Sequence, residues 1–231
     1  MSTKPIIDVI IPAFNEEKSI GLVLDEIPKD FVRNVVVANN NSSDRTAEVA
    51  EQHGAKVVFQ PEPGYGNACL KAMEFIAQLE TKPDIIVFLD GDLSDHPEQL
   101  PEVVKPILDN EADMVIGSRA LGKPESGSMT PQQIFGNWLA TRLLTLFYGV
   151  KYTDLGPFRA IRYESLLQLN MVDRNYGWTV EMQIKAAKQK LPSVEVPVDY
   201  RVRIGKSKVS GTIKGTIGAG YKIILTSFKY L

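Results

Sequence analysis

Residues 85–92 read Ile-Ile-Val-Phe-Leu-Asp-Gly-Asp, an apolar run that ends abruptly in two carboxylates separated by a glycine. Such a run is typical of a strand buried on both faces of a parallel sheet. The glycine allows a tight turn and a close approach to a ligand. Carboxylate oxygens in this position suit a hard divalent cation such as Mg²⁺. A solvated turn is the other interpretation of the same residues.

Short apolar runs alternate with helical patterns on both sides of this stretch. The further predicted strands are Ile6–Ile11, Val35–Ala38, Lys56–Phe59 and Met114–Ile116, and the predicted helices lie at about 17–27, 43–53, 66–80 and 97–109. This alternation predicts an α/β fold, a Rossmann-like and mostly parallel sheet of right-handed βαβ units with helices on both faces. Ligands of such sheets bind beyond the carboxyl ends of the strands.

Polar residues stand at these predicted strand ends. Asn15 and Glu16 follow the first strand, residues 39–44 follow the second, and Asp90 and Asp92 follow the fourth. We expect them to converge at one edge of the sheet. The segment 43–44 can cap the second helix, although ordinary helix-start chemistry would also explain the polar residues after the first strand.

The second half of the chain predicts less regular structure. Residues 119–130 are rich in Gly, Ser and Pro, which predicts a flexible loop. In this place such a loop could serve as a lid over bound substrate. Beyond it we expect helices at about 131–148 and 176–190, a turn at 153–157, and strands at about 158–162 and 193–203. From residue 209 onward, apolar residues recur with helical spacing. This amphipathic helix is expected to pack on the domain, on a second copy or on a bilayer surface.

The length of the chain and the distribution of its charges predict how it is divided into domains. With 231 residues, 44% of them hydrophobic, the chain can bury one large core, and we predict a catalytic domain over residues 1–208 and a basic amphipathic helix over 209–231. The first 199 residues carry 19 basic and 28 acidic side chains, whereas the seven charged residues after Asp199 are all basic. This asymmetry favours an anionic partner for the C-terminal end, such as phosphate or a membrane surface, over a merely solvated tail.

Other features exclude some classes of protein. Cys69 is the single cysteine, so no intramolecular disulfide and no thiol-rich metal site is expected. No run approaches the roughly 18 apolar residues that span a bilayer, and no signal peptide is recognised at the N-terminus. A cytoplasmic protein is expected, soluble or peripheral at the cytoplasmic face of the membrane. Nothing indicates a nucleic-acid partner, while a homodimer stays possible.

Taken together, five motifs carry a resemblance. They are Ile-Pro-Ala-Phe-Asn-Glu-Glu at 11–17, Ala-Asn-Asn-Asn-Ser-Ser-Asp-Arg-Thr at 38–46, Gly-Tyr-Gly-Asn-Ala at 64–68, Phe-Leu-Asp-Gly-Asp at 88–92 and Gly-Ser-Arg at 117–119. Their order and spacing resemble the family 2 glycosyltransferases, which have the GT-A fold. Residues 153–159 and 201–208 look most similar to the polyprenyl-phosphate, or dolichol-phosphate, mannosyl- and glucosyltransferases. The resemblance covers about residues 5–205.

The resemblance implies roles for particular residues. The nucleotide-contacting positions would be Pro12, Ala13, Asn15, Glu16, Asn39 and Asp90, and the metal positions for Mg²⁺ or Mn²⁺ would be Asp90 and Asp92. Arg201 and the stretch 205–208, with Lys206, Ser207 and Lys208, match a segment thought to clamp phosphates. By their charge, Arg119, Arg159 and Arg203 are further candidates to bind a phosphate acceptor. Many family members have an aspartate where Asn39 stands, so the choice between a UDP- and a GDP-hexose donor stays open.

The implied reaction is a single inverting displacement of the nucleoside diphosphate from a hexose, glucose or mannose. Asp92 would act through the metal; Asp154 and Glu181 are candidate bases for a hydroxyl acceptor. A phosphate acceptor needs no base, because it is already largely dianionic at neutral pH. Polyprenyl phosphate is the expected acceptor, and a saccharide or small-molecule hydroxyl is the alternative. Two other classes are disfavoured. A nucleotidyltransferase would be expected to have a glycine-rich, basic segment for pyrophosphate near its start, and this sequence has none. A non-catalytic binding module would be expected to have lost one of the two metal-binding acids, and both are present.

Overall fold

Seven strands form one twisted sheet in the computed structural model, which describes residues 4–205 and 213–231. The strands are β1 Ile7–Ala13, β2 Asn34–Asn39, β3 Lys56–Phe59, β4 Ile85–Phe88, β5 Met114–Ser118, β6 Arg159–Arg162 and β7 Ser193–Pro197. They lie in the order β3-β2-β1-β4-β6-β5-β7. All neighbouring pairs are parallel except those of β6, which runs antiparallel to both β4 and β5. The prediction of an α/β, mostly parallel sheet is confirmed.

Helices connect the strands and cover the sheet. They are α1 Ile20–Glu26, α2 Thr46–Gln52, α3 Tyr65–Gln78, α4 Leu100–Leu108, α5 Pro131–Tyr148, α6 Tyr163–Leu169, α7 Trp178–Lys188 and α8 Ile213–Lys229, with a 3-10 turn at Pro97–Gln99 before α4. Alternate residues of the central strands enter opposite cores. Ile11 and Val87 pack with α1 and α4, whereas Ile10 and Ile86 pack with α3 and α7. Burial on both faces is why these strands are continuously apolar.

Three elements differ from the sequence prediction. The helix α6 was not predicted, because seven residues are too few for a clear helical period. The last strand ends at Pro197, not near 203, and the chain then continues as an irregular segment with isolated bridges at Tyr200. Of the two predicted cap residues of α2, Asp44 accepts a hydrogen bond from the Thr46 amide (3.0 Å), whereas the Ser43 amide donates to Asn15 Oδ1 (2.8 Å).

The segment 119–130 is fastened to the chain after β7. The Lys123 amide donates to Asp199 Oδ1 (3.1 Å), and the Glu125 amide donates to the Tyr200 carbonyl (2.7 Å). In return, the Val202 amide donates to Glu125 Oε2 (2.9 Å). In the described structure, this loop therefore supports the segment 199–202, and it is not positioned as a lid over the cleft.

The C-terminal helix α8 packs against α5 and α7. The Phe147 and Phe228 rings lie 5.0 Å apart between centroids, and Tyr148 donates a hydrogen bond to the Ser227 carbonyl (2.6 Å). Packing on protein, one of the three partners expected for this helix, is thus present. The separation of the chain into 1–208 and 209–231 stays a prediction, and the residues 206–212 at that boundary lie outside the described part.

Candidate active site

A cleft of about 370 Å³ lies beyond the carboxyl ends of β1 and β4. These strands are neighbours, but the connections from β1 and from β3 lead to opposite sides of β1, so the cleft occupies the switch point of the sheet. It is lined by Pro12, Ala13, Phe14, Glu16, Asn40, Pro63, Gly64, Tyr65, Ala68, Asp90, Gly91, Asp92, Asn175, Tyr176 and Arg203. Six predicted site residues therefore meet here: Pro12, Ala13, Glu16, Asp90, Asp92 and Arg203.

The turn after β4 brings two carboxylates to the floor of the cleft. Asp90 Oδ1 accepts a hydrogen bond from the Tyr65 hydroxyl (3.2 Å), and Asp92 Oδ1 accepts one from the Ser94 amide (2.9 Å). The strained position of the turn is Leu93, whose φ of 65° lies in the left-handed region. Leu93 packs its side chain against the core. The turn is therefore held by its neighbours and does not depend on glycine alone.

Acidic groups crowd this floor. Burial, followed by the charge of Asp92, raises the pKa of Asp90 to about 7. Burial, followed by the charges of Asp90 and Asp92, also raises the pKa of Asp95 well above its usual range. Asp95 is 1% exposed and its Oδ1 has no hydrogen-bond partner. An excess of buried negative charge of this kind is what a bound cation relieves.

Asp90 and Asp92 fit a divalent cation by the chemistry of their oxygen atoms. Within residues 4–205 and 213–231, no group of three or more His, Cys, Asp or Glu side chains is arranged to hold a metal. An ion held by the two carboxylates would thus need further oxygen ligands from a substrate or from water, as is usual for Mg²⁺.

Arg203 faces the acids across the cleft. Its Nη1 lies 2.9 Å from Asp92 Oδ2, and its Nη2 lies 3.0 Å from Glu16 Oε1. The Nε atom is buried without a hydrogen-bond partner. The irregular segment after β7 is what brings this arginine to β1 and β4. Because its guanidinium pairs with Asp92, Arg203 can bind an anionic ligand in the cleft or compete with a metal ion for this carboxylate.

The loop after β1 is joined to the loop after β2 by hydrogen bonds. Asn15, with a φ of 55°, donates its amide to Ser42 Oγ (3.0 Å), and the Glu16 amide donates to Thr46 Oγ1 (2.8 Å). Asn39 Oδ1 accepts from the Ser42 amide (3.1 Å). Asn15 and Asn39 are thus outside the cleft lining, while the next residue, Asn40, forms part of it.

Asp154 is held elsewhere, in a buried ion pair. Its Oδ1 lies 2.6 Å from Arg119 Nη2, and its Oδ2 accepts hydrogen bonds from Arg119 Nε and the Arg119 amide, both at 2.8 Å. The Asp154 side chain is fully buried. Neither residue lines the cleft. As a correction, we assign this pair to the support of the loop 153–157, because Arg119 engages both carboxylate oxygens outside the cleft lining.

Glu181 also differs from its predicted role. Its fully buried carboxylate accepts hydrogen bonds from the Asp173 amide (2.7 Å), the Val172 amide (3.1 Å) and the Tyr230 hydroxyl (2.5 Å), and it pairs with Lys185 (2.9 Å). These partners consume its oxygen atoms away from the cleft. As a correction, Glu181 holds residues 172–173 and has no geometry for a general base.

Two predicted phosphate-binding arginines are enclosed by protein. Arg159 is fully buried and donates to the carbonyl oxygens of Gly156 (3.0 Å), Leu155 (3.1 Å) and Thr179 (3.2 Å). Burial lowers its pKa to about 10. Arg201 pairs with Glu26 and donates to the Leu93 carbonyl (2.7 Å). As a correction, neither Arg159 nor Arg201 lines the cleft as a phosphate-binding residue. Both bind protein groups that support the site. Lys206, Ser207 and Lys208 lie outside the described residues.

Sequence reasoning missed part of the cleft wall. Tyr65, Asn175 and Tyr176 line it, and Asn40 ties the loop after β2 to the Gly64 amide (2.8 Å). The Gly-Tyr-Gly motif signalled the first of these, but nothing in the sequence brought 175–176 to the cleft. Trp178, close to these residues in sequence, does not line the cleft: it is 1% exposed and packs edge-on to Phe88, with 6.1 Å between the ring centroids.

No helix in the described part of the chain is long and apolar enough to cross a membrane. Large apolar side chains are nevertheless exposed on two neighbouring helices. They are Ile134, Phe135, Trp138 and Leu146 on α5 and Tyr221, Ile224, Leu225 and Phe228 on α8. We call this set the apolar face. It lies on the pair of helices that packs together through Phe147 and Phe228.

Known proteins share this fold and much of this sequence. A solved structure of glucosyl-3-phosphoglycerate synthase from Mycobacterium tuberculosis, in complex with Mn²⁺, uridine diphosphate and phosphoglyceric acid, has the same fold. Its TM-score is 0.77 at 23% identity, covering 98% of this chain and 78% of that one. An uncharacterised glycosyltransferase of M. tuberculosis is 37% identical over 91% of this chain and 93% of its own length.

A relative with a more specific name is the undecaprenyl-phosphate mannosyltransferase of Micrococcus luteus, 30% identical over 89% of this chain and 88% of its own length. The family model "Glycosyl transferase family 2" matches residues 8–169, which include β1, the acidic turn and β6. The resemblance carried by the sequence motifs is thereby confirmed, and so is the GT-A fold. The chain belongs to glycosyl transferase family 2.

Proposed function

We propose that this glycosyltransferase moves a hexose, glucose or mannose, from a nucleoside diphosphate sugar to a polyprenyl phosphate, with inversion at the anomeric carbon. The observation that carries the donor half is the meeting of Asp90, Asp92 and Arg203 at the switch point of the sheet. Two carboxylates suit a metal ion, and the guanidinium suits a diphosphate. No other group of charged residues lines the described cleft except Glu16, which pairs with the same arginine.

In this proposal each residue has a role in binding or charge stabilisation. Pro12, Ala13 and Phe14 would flank the nucleoside, and Asp90 and Asp92 would hold Mg²⁺ or Mn²⁺. When bound, the metal would supply positive charge to the departing diphosphate. An acceptor oxygen would form the new bond to the anomeric carbon while the bond to the diphosphate oxygen breaks on the opposite face. Arg203 would move from Asp92 to the diphosphate as negative charge develops there.

The acceptor is inferred from the carboxylates that line the described part of the cleft, none of which is left over to act as a base. The carboxylates that line it are Glu16, Asp90 and Asp92, and all three are assigned to Arg203 or to the metal. A hydroxyl acceptor needs a group to take its proton, whereas a phosphate acceptor, with a second pKa of roughly 6, does not. This difference favours a phosphate monoester, with Lys206 and Lys208 as further candidate contacts.

The apolar face supports a lipid as the carrier of that phosphate. Phe135 and Leu146 are 61% and 73% exposed, and they belong to a group of eight such side chains on two helices that pack together. A grouping of exposed apolar side chains is typical of an interaction surface, whereas single ones are common on any protein. A membrane surface would cover them and would also attract the basic C-terminal end. The similarity to an undecaprenyl-phosphate mannosyltransferase points the same way. We therefore propose peripheral docking at the cytoplasmic face of the membrane.

A second candidate keeps the donor and changes the acceptor to a saccharide or small-molecule hydroxyl. It is favoured by the structural likeness to a synthase whose crystals contain phosphoglyceric acid. That acceptor is also anionic, so Arg203 would suit either one. The two candidates differ in the solubility of the product and in the need for a base.

A panel assay separates them. Purified protein with Mn²⁺ would be given radiolabelled UDP-glucose, UDP-galactose or GDP-mannose, together with polyprenyl phosphate, phosphoglycerate or simple sugars. Label in the organic extract, lost in Asp92→Asn and retained in the surface control Asp109→Asn, is the expected result. Label found only in a water-soluble product would replace the lipid acceptor with the second candidate. No transfer from any donor would overturn the proposal.

A flotation experiment tests the docking surface separately. The double variant Trp138→Ser, Leu225→Ser removes two exposed side chains of the apolar face without touching the cleft. We expect it to bind anionic liposomes at least about tenfold more weakly than the parent protein, since each side chain contributes roughly 1.5–3 kcal/mol when fully buried. The exposed Leu22→Ser on α1 serves as the control. Equal flotation of all three proteins would contradict membrane docking through these helices.

A further inference from the structure

The cleft has one wall that is held from the C-terminal helix. Residues 171–177, which we call the wall loop, connect α6 to α7 and contribute Asn175 and Tyr176 to the cleft lining. The loop contains no regular structure, so its backbone groups must find partners elsewhere. Those partners are two buried carboxylates, Asp173 and Glu181. Asp173 is in turn bound by Lys222 of α8, and Glu181 by Tyr230, which directly follows α8.

Asp173 organises the part of the wall loop that faces the cleft. Its Oδ1 accepts hydrogen bonds from the Asn175 amide (2.7 Å) and the Gly177 amide (3.0 Å). Its Oδ2 lies 2.9 Å from Lys222 Nζ on α8. The Asp173 side chain is only 8% exposed, whereas that of Lys222 is 35% exposed. Among the described residues, Lys222 is therefore the charged partner that fixes the second oxygen of this carboxylate.

Glu181 holds the preceding residues in the same manner. It accepts hydrogen bonds from the Val172 and Asp173 amides and from the hydroxyl of Tyr230, the residue after the end of α8. Further contacts join α8 to the wall loop on both sides of Lys222, at Gly218 and at Thr226. A methyl group added to Gly218 would lie 3.5 Å from the Tyr176 ring, and one added to Gly177 would lie 2.9 Å from Thr226 Oγ1.

The other side of the wall loop contacts the start of α3. The Asn67 amide donates to the Arg174 carbonyl (3.0 Å), and Gly64 and Gly66 leave no room for a side chain beside the same backbone. A displacement of the wall loop would thus be transmitted to Tyr65, which donates its hydroxyl to Asp90. The positions of both cleft tyrosines depend on the same support.

We infer that Lys222 is a positioning residue for the nucleotide-sugar cleft, acting through Asp173 on Asn175 and Tyr176. The inference rests on the proposed function, because it assigns this cleft to the donor. Lys222 contacts no residue of the acidic turn in the described structure, and its side chain points to the loop. It acts on the shape of the wall and on donor affinity, and it takes no part in the displacement.

The first test measures how stably the wall loop is held in the protein without any ligand. Hydrogen exchange of the peptide covering residues 171–177 would be compared in the parent protein, Lys222→Met, Lys222→Arg and Lys105→Met. Loss of the ion pair is expected to speed exchange about fivefold to tenfold in Lys222→Met, given the usual size of a charged hydrogen bond. Lys222→Arg should restore slow exchange. Lys105→Met also removes a helical lysine from an ion pair, the exposed one with Asp109 at the end of α4, and should have no effect.

The second test reads the cleft. Binding of UDP and of GDP with Mn²⁺ would be measured by calorimetry for the same four proteins. We expect about fivefold weaker binding for Lys222→Met and recovery in Lys222→Arg, with unchanged metal affinity in the absence of nucleotide. If the parent protein binds neither nucleotide, the assignment of the donor is overturned. If it binds one and Lys222→Met binds it equally well, or exchanges equally slowly, the positioning role is overturned.

Discussion

At the cleft floor, Asp90 has a pKa raised to about 7 by burial and by Asp92. Because a metal binds the carboxylate form, a proton competes with Mn²⁺ below that pH. We expect Mn²⁺ affinity to fall as the pH is lowered from about 8 to about 6 and a proton to be released on binding near neutrality. Calorimetry in two buffers of different ionisation enthalpy measures both. An affinity that is constant over this range would contradict the assignment.

The same shift predicts a change in stability. A raised folded pKa means that the folded protein binds the extra proton, so metal-free protein should lose stability as the pH rises from about 4 to about 7. Asp90→Asn removes the ionisation. At about pH 8 the variant is therefore expected to be more stable than the parent without metal, by roughly 1–2 kcal/mol, and this gain should vanish when Mn²⁺ is added to both. Thermal melts at two pH values measure it.

Arg203 gives a further prediction about a single residue. Its guanidinium lies 2.9 Å from Asp92, where it repels an incoming cation and attracts a diphosphate. We expect Arg203→Met to bind Mn²⁺ about tenfold more tightly without nucleotide and UDP or GDP more weakly. Arg45→Met, which changes an exposed arginine paired with Glu17 outside the cleft lining, is the control. Weaker metal binding in Arg203→Met would show that the arginine supports the metal site instead of competing with it.

Among the elements, α5 has the clearest start and stop signals. Thr130 and Gln133 form a capping box, in which each side chain bonds to the backbone of the other, and Gly149 ends the helix with a φ of 70°. Thr130→Ala is expected to lower the free energy of unfolding by about 1 kcal/mol. Ser128→Ala, two residues earlier in the loop, should change it by much less. Urea denaturation of both variants tests the cap.

How far the sequence predicts an element depends on where its signal resides. The strand at 85–89 and the helix at 131–148 carry their own periodicity and caps, so both were predicted within one or two residues. The neighbours of β6 were not predictable, because the pairing of strands far apart in sequence, such as that of Phe88 with Arg159, is set by the tertiary fold and by no local pattern. The acids of the cleft followed from strand ends, but the wall loop depends on Lys222, whose contact no local pattern encodes.

For the whole molecule, α8 behaves as part of the core and of the cleft support. Tyr230 packs with Leu144, Val180 and Ile184, and Lys188 donates to the Tyr230 carbonyl. Deleting residues 213–231 is expected to lower the melting temperature by about 10 °C or more, because this cluster would be exposed and Glu181 would lose a partner. Tyr221→Ser, on the exposed side of α8, should melt like the parent. An unchanged melting temperature of the truncated chain would support residues 1–208 as an independent domain.

The antiparallel strand β6 lies between β4 and β5, although it is made after both of them. During synthesis, β1 to β4 can assemble as each strand leaves the ribosome, but β5 has no sheet to join until residue 162 is available. Over the whole interval between Phe88 and Arg159, the strand Ile85–Phe88 has an unpaired apolar edge. The risk of aggregation is therefore greatest in the half-made chain, and a ribosome stalled in that interval would need a chaperone to cover the edge that β6 covers in the finished protein.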